Sequence, residues 1–207
     1  MEMLQRSEDW YFARLGKLTS SRIAEATAKV KTGEAAARMN YRAQLVAERL
    51  TGISQSVDLS RNKSIQWGID TEIKAKDNYQ FITDIEVLAV GFVEHQTILM
   101  SGASPDGMID HDGLIEIKCP STATHIGYLQ SQEIPGNYKK QMLWQLACTK
   151  RKWCDFVSFD PRLDTKNQML VIRFEPKESE IMEIEQEAIQ FLIEVAEMEE
   201  WLKSRKV

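Results

Sequence analysis

The sequence predicts an α/β domain in which a mixed central β-sheet is flanked by helices, and three observations carry that prediction. Apolar residues recur at helical spacing up to about residue 83, with start and stop signals around each run. From Ile85 the period shortens towards two, with Val87, Ala89, Gly91 and Val93 alternating. No repeat, linker or low-complexity segment divides the 207 residues. One domain is therefore expected, with a helical part over about 1–83, a sheet core over about 85–175 and an acidic helix over about 177–203.

Ser7, Glu8 and Asp9 form a helix start before Trp10, Phe12 and Leu15, and Gly16 is the stop. Thr19, Ser20 and Ser21 open a second helix through Ile23 and Ala26, followed by an exposed basic loop over 29–33. A third helix covers about Ala37 to Leu50, ahead of Thr51 and Gly52, and a fourth about Ser64 to Phe81. The alternating stretch after Ile85 continues as Ile98 to Ser101, Met108 to Asp110 and Leu114 to Lys118. Tight turns between them predict a meander, with His111-Asp112-Gly113 as one hairpin turn. Helices follow at His125 to Gln130 and Asn137 to about Thr149, then strands at Trp153 to Phe159 and Met169 to Phe174. The last helix, about Lys177 to Lys203, places Ile181, Ile184, Ala188, Leu192, Val195 and Trp201 on a packing face.

With 43% hydrophobic and 28% charged residues the chain can bury a core, and disorder is not expected. No apolar run approaches the roughly 20 residues that span a bilayer, and the N-terminus lacks signal-peptide character, so a cytoplasmic protein with no membrane partner is expected. Cys119, Cys148 and Cys154 are odd in number and lack CxxC spacing, which argues against a disulfide framework or a cysteine-built metal site. His95, His111 and His125 show no metal-ligand spacing. The net charge of −5 is concentrated in residues 175–207, where ten acids face four bases, and the rest carries 22 bases against 21 acids. Nucleic acid is therefore permitted as a partner.

Two charges interrupt the apolar strand Leu114 to Cys119. Side chains two apart share a strand face, so Glu116 and Lys118 point one way while Ile115, Ile117 and Cys119 pack behind them. A buried charge needs a partner, a metal or solvent. Asp106, in the turn-like run Ser104-Pro105-Asp106-Gly107, can converge on Glu116 across a hairpin, with the Ile117 carbonyl facing the same ion. Hard oxygen donors suit Mg²⁺, and such a site can polarise a phosphodiester and activate water, with Lys118 orienting or deprotonating that water. Glu72 on the fourth helix is a further carboxylate. The spacing alone also fits a plain Asp-Gly turn and a solvated Glu-x-Lys edge.

Taken together, the segments resemble the phage lambda exonuclease and YqaJ-like viral recombinase family, a branch of the PD-(D/E)xK nucleases. Arg14-Leu15-Gly16-Lys17-Leu18-Thr19-Ser20-Ser21 is similar to its N-terminal phosphate-binding block, and Trp67-Gly68 followed by Glu72 to its helix motif. Ser104-Pro105-Asp106-Gly107 and Glu116-Ile117-Lys118-Cys119-Pro120 resemble its metal-binding core. Tyr138 with Gln141 resembles the helix after it, and Asp160-Pro161-Arg162 a later turn. The motifs run in the family's order from about Trp10 to Arg162.

The resemblance implies a restriction-endonuclease-like core, with Asp106 and Glu116 as metal ligands, Lys118 as the catalytic lysine and Glu72 as a supporting acid. Arg14 and Ser21, with Ser104, would receive a terminal 5′-phosphate, as an arginine fork and hydroxyl donors suit phosphate oxygens. Read as residues alone, Arg14 is a surface cap of the first helix and Ser21 an N-cap. Tyr138 and Gln141 lie three apart on one helix face and would orient Lys118 or a phosphate oxygen. Where many relatives carry a second glutamine two places on, this chain has Leu143, with Gln145 four after Gln141, so which glutamine reaches the site is open. Ile65 sits near the family's apolar wedge against the duplex, or in the core. Lys29, Lys31 and Arg38, with Lys139 and Lys140, are candidate DNA-backbone contacts, or solvated charge.

The implied activity is Mg²⁺-dependent digestion of one strand of linear double-stranded DNA from its 5′ end. It would release mononucleotides and leave a 3′ overhang, at a two-ion site in which Mn²⁺ can substitute. A ring-shaped homotrimer and a single-strand annealing recombinase partner are implied with it. The alternatives are a PD-(D/E)xK endonuclease of restriction or repair type, and a catalytically idle DNA-end-binding scaffold.

Overall fold

A computed structural model describes residues 5–55 and 63–205, with the side chains of residues 63–65 outside the described set. The sheet at its centre has five strands in the order β2-β5-β6-β7-β8: Val87–Leu88, Gly107–Ile109, Gly113–Lys118, Trp153–Phe159 and Met169–Phe174. β6 and β7 run parallel and the other neighbours antiparallel, which makes the sheet mixed, as the sequence predicts. A smaller sheet has the order β1-β4-β3: Leu18–Thr19, Ser101–Ala103 and Val93–Glu94.

Helices cover both faces of the large sheet. On one side α4 (Lys63–Thr83) sets Ala75 and Tyr79 against Val87, Ile109, Ile115, Ile117, Val157 and Phe159. On the other, α6 (Gly136–Thr149) sets Met142 and Leu146 against Leu114, Cys154 and Phe156. α5 (Thr122–Ser131) lies between β6 and α6 in the chain and completes the crossover that parallel β6 and β7 require. A third cluster joins α2 (Ile23–Ala26), α3 (Ala36–Thr51), α6 and α7 (Glu178–Ser204) around Tyr41, Leu45, Trp144 and Phe191.

Two glycines are required by geometry. Gly16 takes φ +67° two residues after α1 (Glu8–Arg14), and a Cβ there would lie 2.8 Å from Arg49 Cγ. Its N–H donates to Glu48 Oε2 at 2.9 Å and its carbonyl accepts from Arg49 Nε at 2.9 Å, which ties the turn after α1 to α3. Gly107 lets β5 pass between β2 and β6, because a Cβ would meet Val87 Cγ1 at 2.2 Å.

Several expectations need correction. The predicted meander is split, since β3 and β4 leave the large sheet to pair with β1. Residues 96–100 form a turn rather than a strand beginning at Ile98, because the Ser101 hydroxyl and the Ile98 N–H bond back within the turn, to Ile98 O and His95 Nδ1. The second helix shrinks to four residues after a 3-10 turn at Ser20–Arg22. Trp201 is 57% exposed, and Phe191 takes the buried place on α7 beside Ile184, Ala188 and Val195. The acids of α7 act largely as internal counterions: Glu194 pairs Arg38 and Arg42, and Glu199 pairs Arg49 and Lys203. The three cysteines are free thiols. Among the described residues no helix is long and apolar enough to cross a membrane.

Candidate active site

β6 is an interior strand, paired on both edges, and Glu116 is fully buried on its α6 face. The solvated-edge reading of Glu-x-Lys therefore fails. Gly107 pairs with Ile115, so the preceding residue, Asp106, falls opposite Glu116, and Asp106 Oδ2 accepts from the Ile117 N–H at 2.6 Å. From α6, Gln141 Nε2 donates to Glu116 Oε1 at 2.7 Å and Gln145 Nε2 donates to Oε2 at 2.5 Å. Both glutamines reach the site, which answers the question that the sequence left open. Lys118 Nζ ion-pairs with Glu116 Oε1 and sits 5.0 Å from the Tyr138 ring centre, and Tyr138 in turn stacks on Phe156.

The electrostatics follow from burial. Asp106 has its pKa raised well above the carboxylate range, first by burial and then by the Glu116 carboxylate, against which Lys118 works. For Lys118 burial favours the neutral amine, but Glu116 and Asp106 outweigh it and raise its pKa, so the side chain is an ammonium. Cys119, next along, is pushed up to about 12 by burial and neighbouring acids and is no nucleophile. Among the described residues no three His, Cys, Asp or Glu side chains form a ready-made ion cage. The donor chemistry still fits a hard divalent cation: a buried carboxylate, Glu116, beside a half-buried one, Asp106, whose ionisation a cation would favour.

Glu72, on α4, lines the open side of this centre. A cavity of about 450 Å³ is bounded by Glu72, Asp106, Ile117 and Phe92, and a second of about 240 Å³ by Glu72, Gly68, Ile117 and Lys118. Arg6 lines both and donates to Glu72 Oε2 at 2.7 Å. Gln5 fixes the strap that carries it, donating to Pro105 O at 2.6 Å and Val90 O at 3.0 Å.

A second polar group stands beside the first. Parallel pairing of Thr19 with Gly102 brings Ser21 and Ser104, each two residues further on, to one end of the small sheet. Arg14 bridges them, donating through Nη1 to Ser104 Oγ at 3.1 Å and through Nη2 to Ser21 Oγ at 3.4 Å. The Trp10 ring lies 4.0 Å from the Arg14 guanidinium, and Trp10 Nε1 donates to Ser104 Oγ at 2.9 Å. Burial lowers the Arg14 pKa from its ordinary value, and among the described residues no carboxylate ion-pairs with it. The cavity here, about 530 Å³, is also lined by Lys17, Arg22 and Gln44.

The model of the YqaJ-like viral recombinase domain matches residues 9–152, which carry both groups. The chain belongs to this family. LHK-Exo, an alkaline exonuclease from Laribacter hongkongensis, is 43% identical in one crystal structure, with a TM-score of 0.87 over 95% of this chain and 96% of that one. Its complex with dAMP gives 44% identity and a TM-score of 0.89 over the same shares. A phage-related exonuclease from Haemophilus somnus 129PT, at 12% identity and a TM-score of 0.73 over 90% of this chain and 96% of that one, shares the fold. No curated protein matches the chain.

The remaining candidate residues of this YqaJ-like chain lie apart from the centre. Lys31 is exposed on the loop after α2. Lys29 is exposed and ion-pairs with Glu187, and Arg38 is turned inward to Glu194 at 2.8 Å and to Ala26 O. Lys140 is anchored to Thr27, through its Oγ1 at 2.7 Å. The Ile65 side chain lies outside the described residues. Sequence reasoning missed Arg6, which sits in a stretch with no periodic signal. It also missed Trp10, although its position four before Arg14 puts both on one helix face. Arg162 was placed only in a turn; it stacks 4.6 Å from the Trp67 ring, donates to Pro120 O, and holds Asp160 down at about 2 despite burial.

Proposed function

We propose that this chain is a metal-dependent exonuclease that digests one strand of linear double-stranded DNA from a phosphorylated 5′ end. It releases 5′-mononucleotides and leaves a 3′ overhang for strand annealing. One observation carries the reading: the Arg14–Ser104 anchor and the carboxylate Asp106 are two residues apart in one chain segment. Two residues reach at most about 7 Å. A terminal phosphate held at the anchor thus leaves the next phosphodiester beside the carboxylates, the register that removes one nucleotide at a time. LHK-Exo, the alkaline exonuclease with a dAMP complex, supports it.

Asp106, Glu116 and the Ile117 carbonyl would hold Mg²⁺, with Glu72 supporting a two-ion site that accepts Mn²⁺. The ion supplies Lewis acidity to the scissile phosphate and lowers the pKa of water. Lys118, held as an ammonium, stabilises charge on the phosphate or orients the attacking water. Gln141 fixes Glu116, Tyr138 packs against Lys118, and Arg14, Ser21 and Ser104 bind the 5′-phosphate. Lys31, with Lys29, Arg38 and Ile65, remains a proposed DNA contact. The working form is a single nuclease domain assembled as a homotrimeric ring in the cytoplasm, partnered by a single-strand annealing recombinase.

The test is digestion of linear duplex labelled separately at its 5′ and 3′ termini, with Mg²⁺ or EDTA, beside a closed circle. Mg²⁺-dependent release of 5′ label as mononucleotide with an intact circle is the expected result. Internal cutting of the circle would make the chain an endonuclease, and binding without cleavage would leave an end-binding scaffold.

A further inference from the structure

Gln145 lies one helical turn after Gln141 on α6 and is fully buried. A carboxylate offers only acceptors, so the amide nitrogens of both glutamines must face Glu116. Gln141 takes Oε1 and Gln145 takes Oε2. For Gln145 this orientation has a cost: its Oε1 is buried with no hydrogen-bond partner among the described residues. An unmet buried acceptor is unfavourable, and an apolar side chain of the same length would remove it. The amide therefore does something that packing alone does not require.

The distribution of contacts says what. Oε1 of Glu116 already accepts from Gln141 and from Lys118, whereas Oε2 accepts from Gln145 alone. A carboxylate has about four acceptor positions. The one left over is on Oε2.

We propose that Gln145 is a positioning residue that holds Oε2 of Glu116 as the oxygen presented to a divalent cation. Gln141 and Lys118 occupy Oε1, so the two glutamines fix the carboxylate plane from one helix face. The inference rests on the reading of Glu116 as a metal-holding carboxylate, and it goes beyond that reading by naming the oxygen and the residue that aims it. Partners that orient metal ligands typically change metal affinity by roughly 10–100-fold when removed.

The experiment is calorimetric titration of Mn²⁺ into the full-length protein without DNA, for the wild type, Gln145→Met, Gln141→Met and Glu116→Gln. Circular dichroism checks that each variant is folded. Gln145→Met is expected to weaken Mn²⁺ binding by about 10-fold or more, while preference for a 5′-phosphorylated over a 5′-hydroxyl end stays as in the wild type. Wild-type Mn²⁺ affinity in Gln145→Met, alongside lost affinity in Glu116→Gln, overturns the role of Gln145 and leaves Glu116 standing. Wild-type affinity in Glu116→Gln overturns the underlying reading instead. Should Gln145→Met fail to fold, Mg²⁺ titration of the wild type followed by the Gln145 side-chain amide resonances decides: they must move with occupancy, and resonances that stay fixed reject the proposal.

Discussion

The two halves of the site meet in the run Ser104-Pro105-Asp106-Gly107 and handle charge in opposite ways. Around Glu116, negative charge is buried and surrounded: two glutamine amides and an ammonium converge on one carboxylate, while burial and the nearby Glu116 charge disfavour ionisation of a second carboxyl, Asp106. Around Arg14, positive charge is only partly buried and is met by neutral hydroxyls and an aromatic ring. The first half sets two carboxyl groups, Glu116 and Asp106, against one ammonium, Lys118. The second carries a guanidinium fork with no counterion among the described residues. On the proposed function, phosphate hydrolysis would bring each half its complement, a metal to one and an anion to the other.

If that division holds, substitutions in the two halves will separate chemistry from end recognition. The largest effect belongs to Lys118→Ala. It removes the ammonium paired with Glu116, and turnover is expected to fall by at least about 10²–10³-fold with duplex binding retained. Single-turnover assays beside filter binding measure both. Wild-type turnover would take the lysine out of the chemistry and blur the comparison.

Asp106→Asn sharpens it, because function and stability are expected to move in opposite directions. Asp106 has a folded pKa above its unfolded value. Its stabilising contribution is therefore full below the unfolded pKa and is lost as pH rises through the folded one. As pH rises in EDTA the cost of ionising Asp106 opposes folding, and asparagine keeps an acceptor for the Ile117 N–H without that cost. The variant should melt higher than the wild type in EDTA, by an amount that grows with pH, and should lose both activity and the stabilisation that Mg²⁺ gives the wild type. Calorimetric melts between pH 5 and 9 check the sign. A lower melting temperature at alkaline pH would mean that the hydrogen bond to Ile117 outweighs the repulsion.

Arg14→Ala acts on the other half. Losing charge-assisted hydrogen bonds worth about 1.5–3 kcal/mol should cost roughly 10–150-fold in preference for a phosphorylated 5′ end, with Mg²⁺ dependence unchanged. Competition between phosphorylated and hydroxyl-ended duplexes reads the preference. An unaltered preference would return Arg14 to a structural role.

The two halves were not equally legible. The strand pattern of β6 announced Glu116 and Lys118, and period and flanking turns located β7, β8 and α7 to within one residue at each end. That information is local: a strand alternates and a helix repeats whatever lies beside it. The phosphate half depends on a two-residue parallel pairing of β1 with β4, set by residues more than 80 positions apart, for which no periodic signal exists. The split of the expected meander has the same origin. Strands of two or three residues are too short to show a period, and their partners are chosen by packing. Gln145 illustrates the boundary between the two cases. Its spacing from Gln141 was plain, but only the depth of Glu116 under α6 decides that both amides can reach one carboxylate.

The smallest effect tests whether the anion half is preorganised or merely present. Trp10 does two things for Arg14: its ring stacks on the guanidinium, and its Nε1 donates to Ser104, orienting that hydroxyl. Trp10→Phe keeps an aromatic face and removes the donor. A single neutral hydrogen bond contributes about 0.5–1.5 kcal/mol net, so the 5′-phosphate preference should fall by only about 2–10-fold. Turnover on a bound phosphorylated end should be untouched, because Trp10 makes no contact with the carboxylate half. A loss as large as that of Arg14→Ala would mean that the Ser104 hydroxyl held by the indole donor, more than the stack, sets the guanidinium, and Ser104→Ala would then equal it. No loss would mean that Ser104 is already fixed by Arg14. In either case the size of the effect reports how rigidly a guanidinium must be held when, among the described residues, no carboxylate ion-pairs with it.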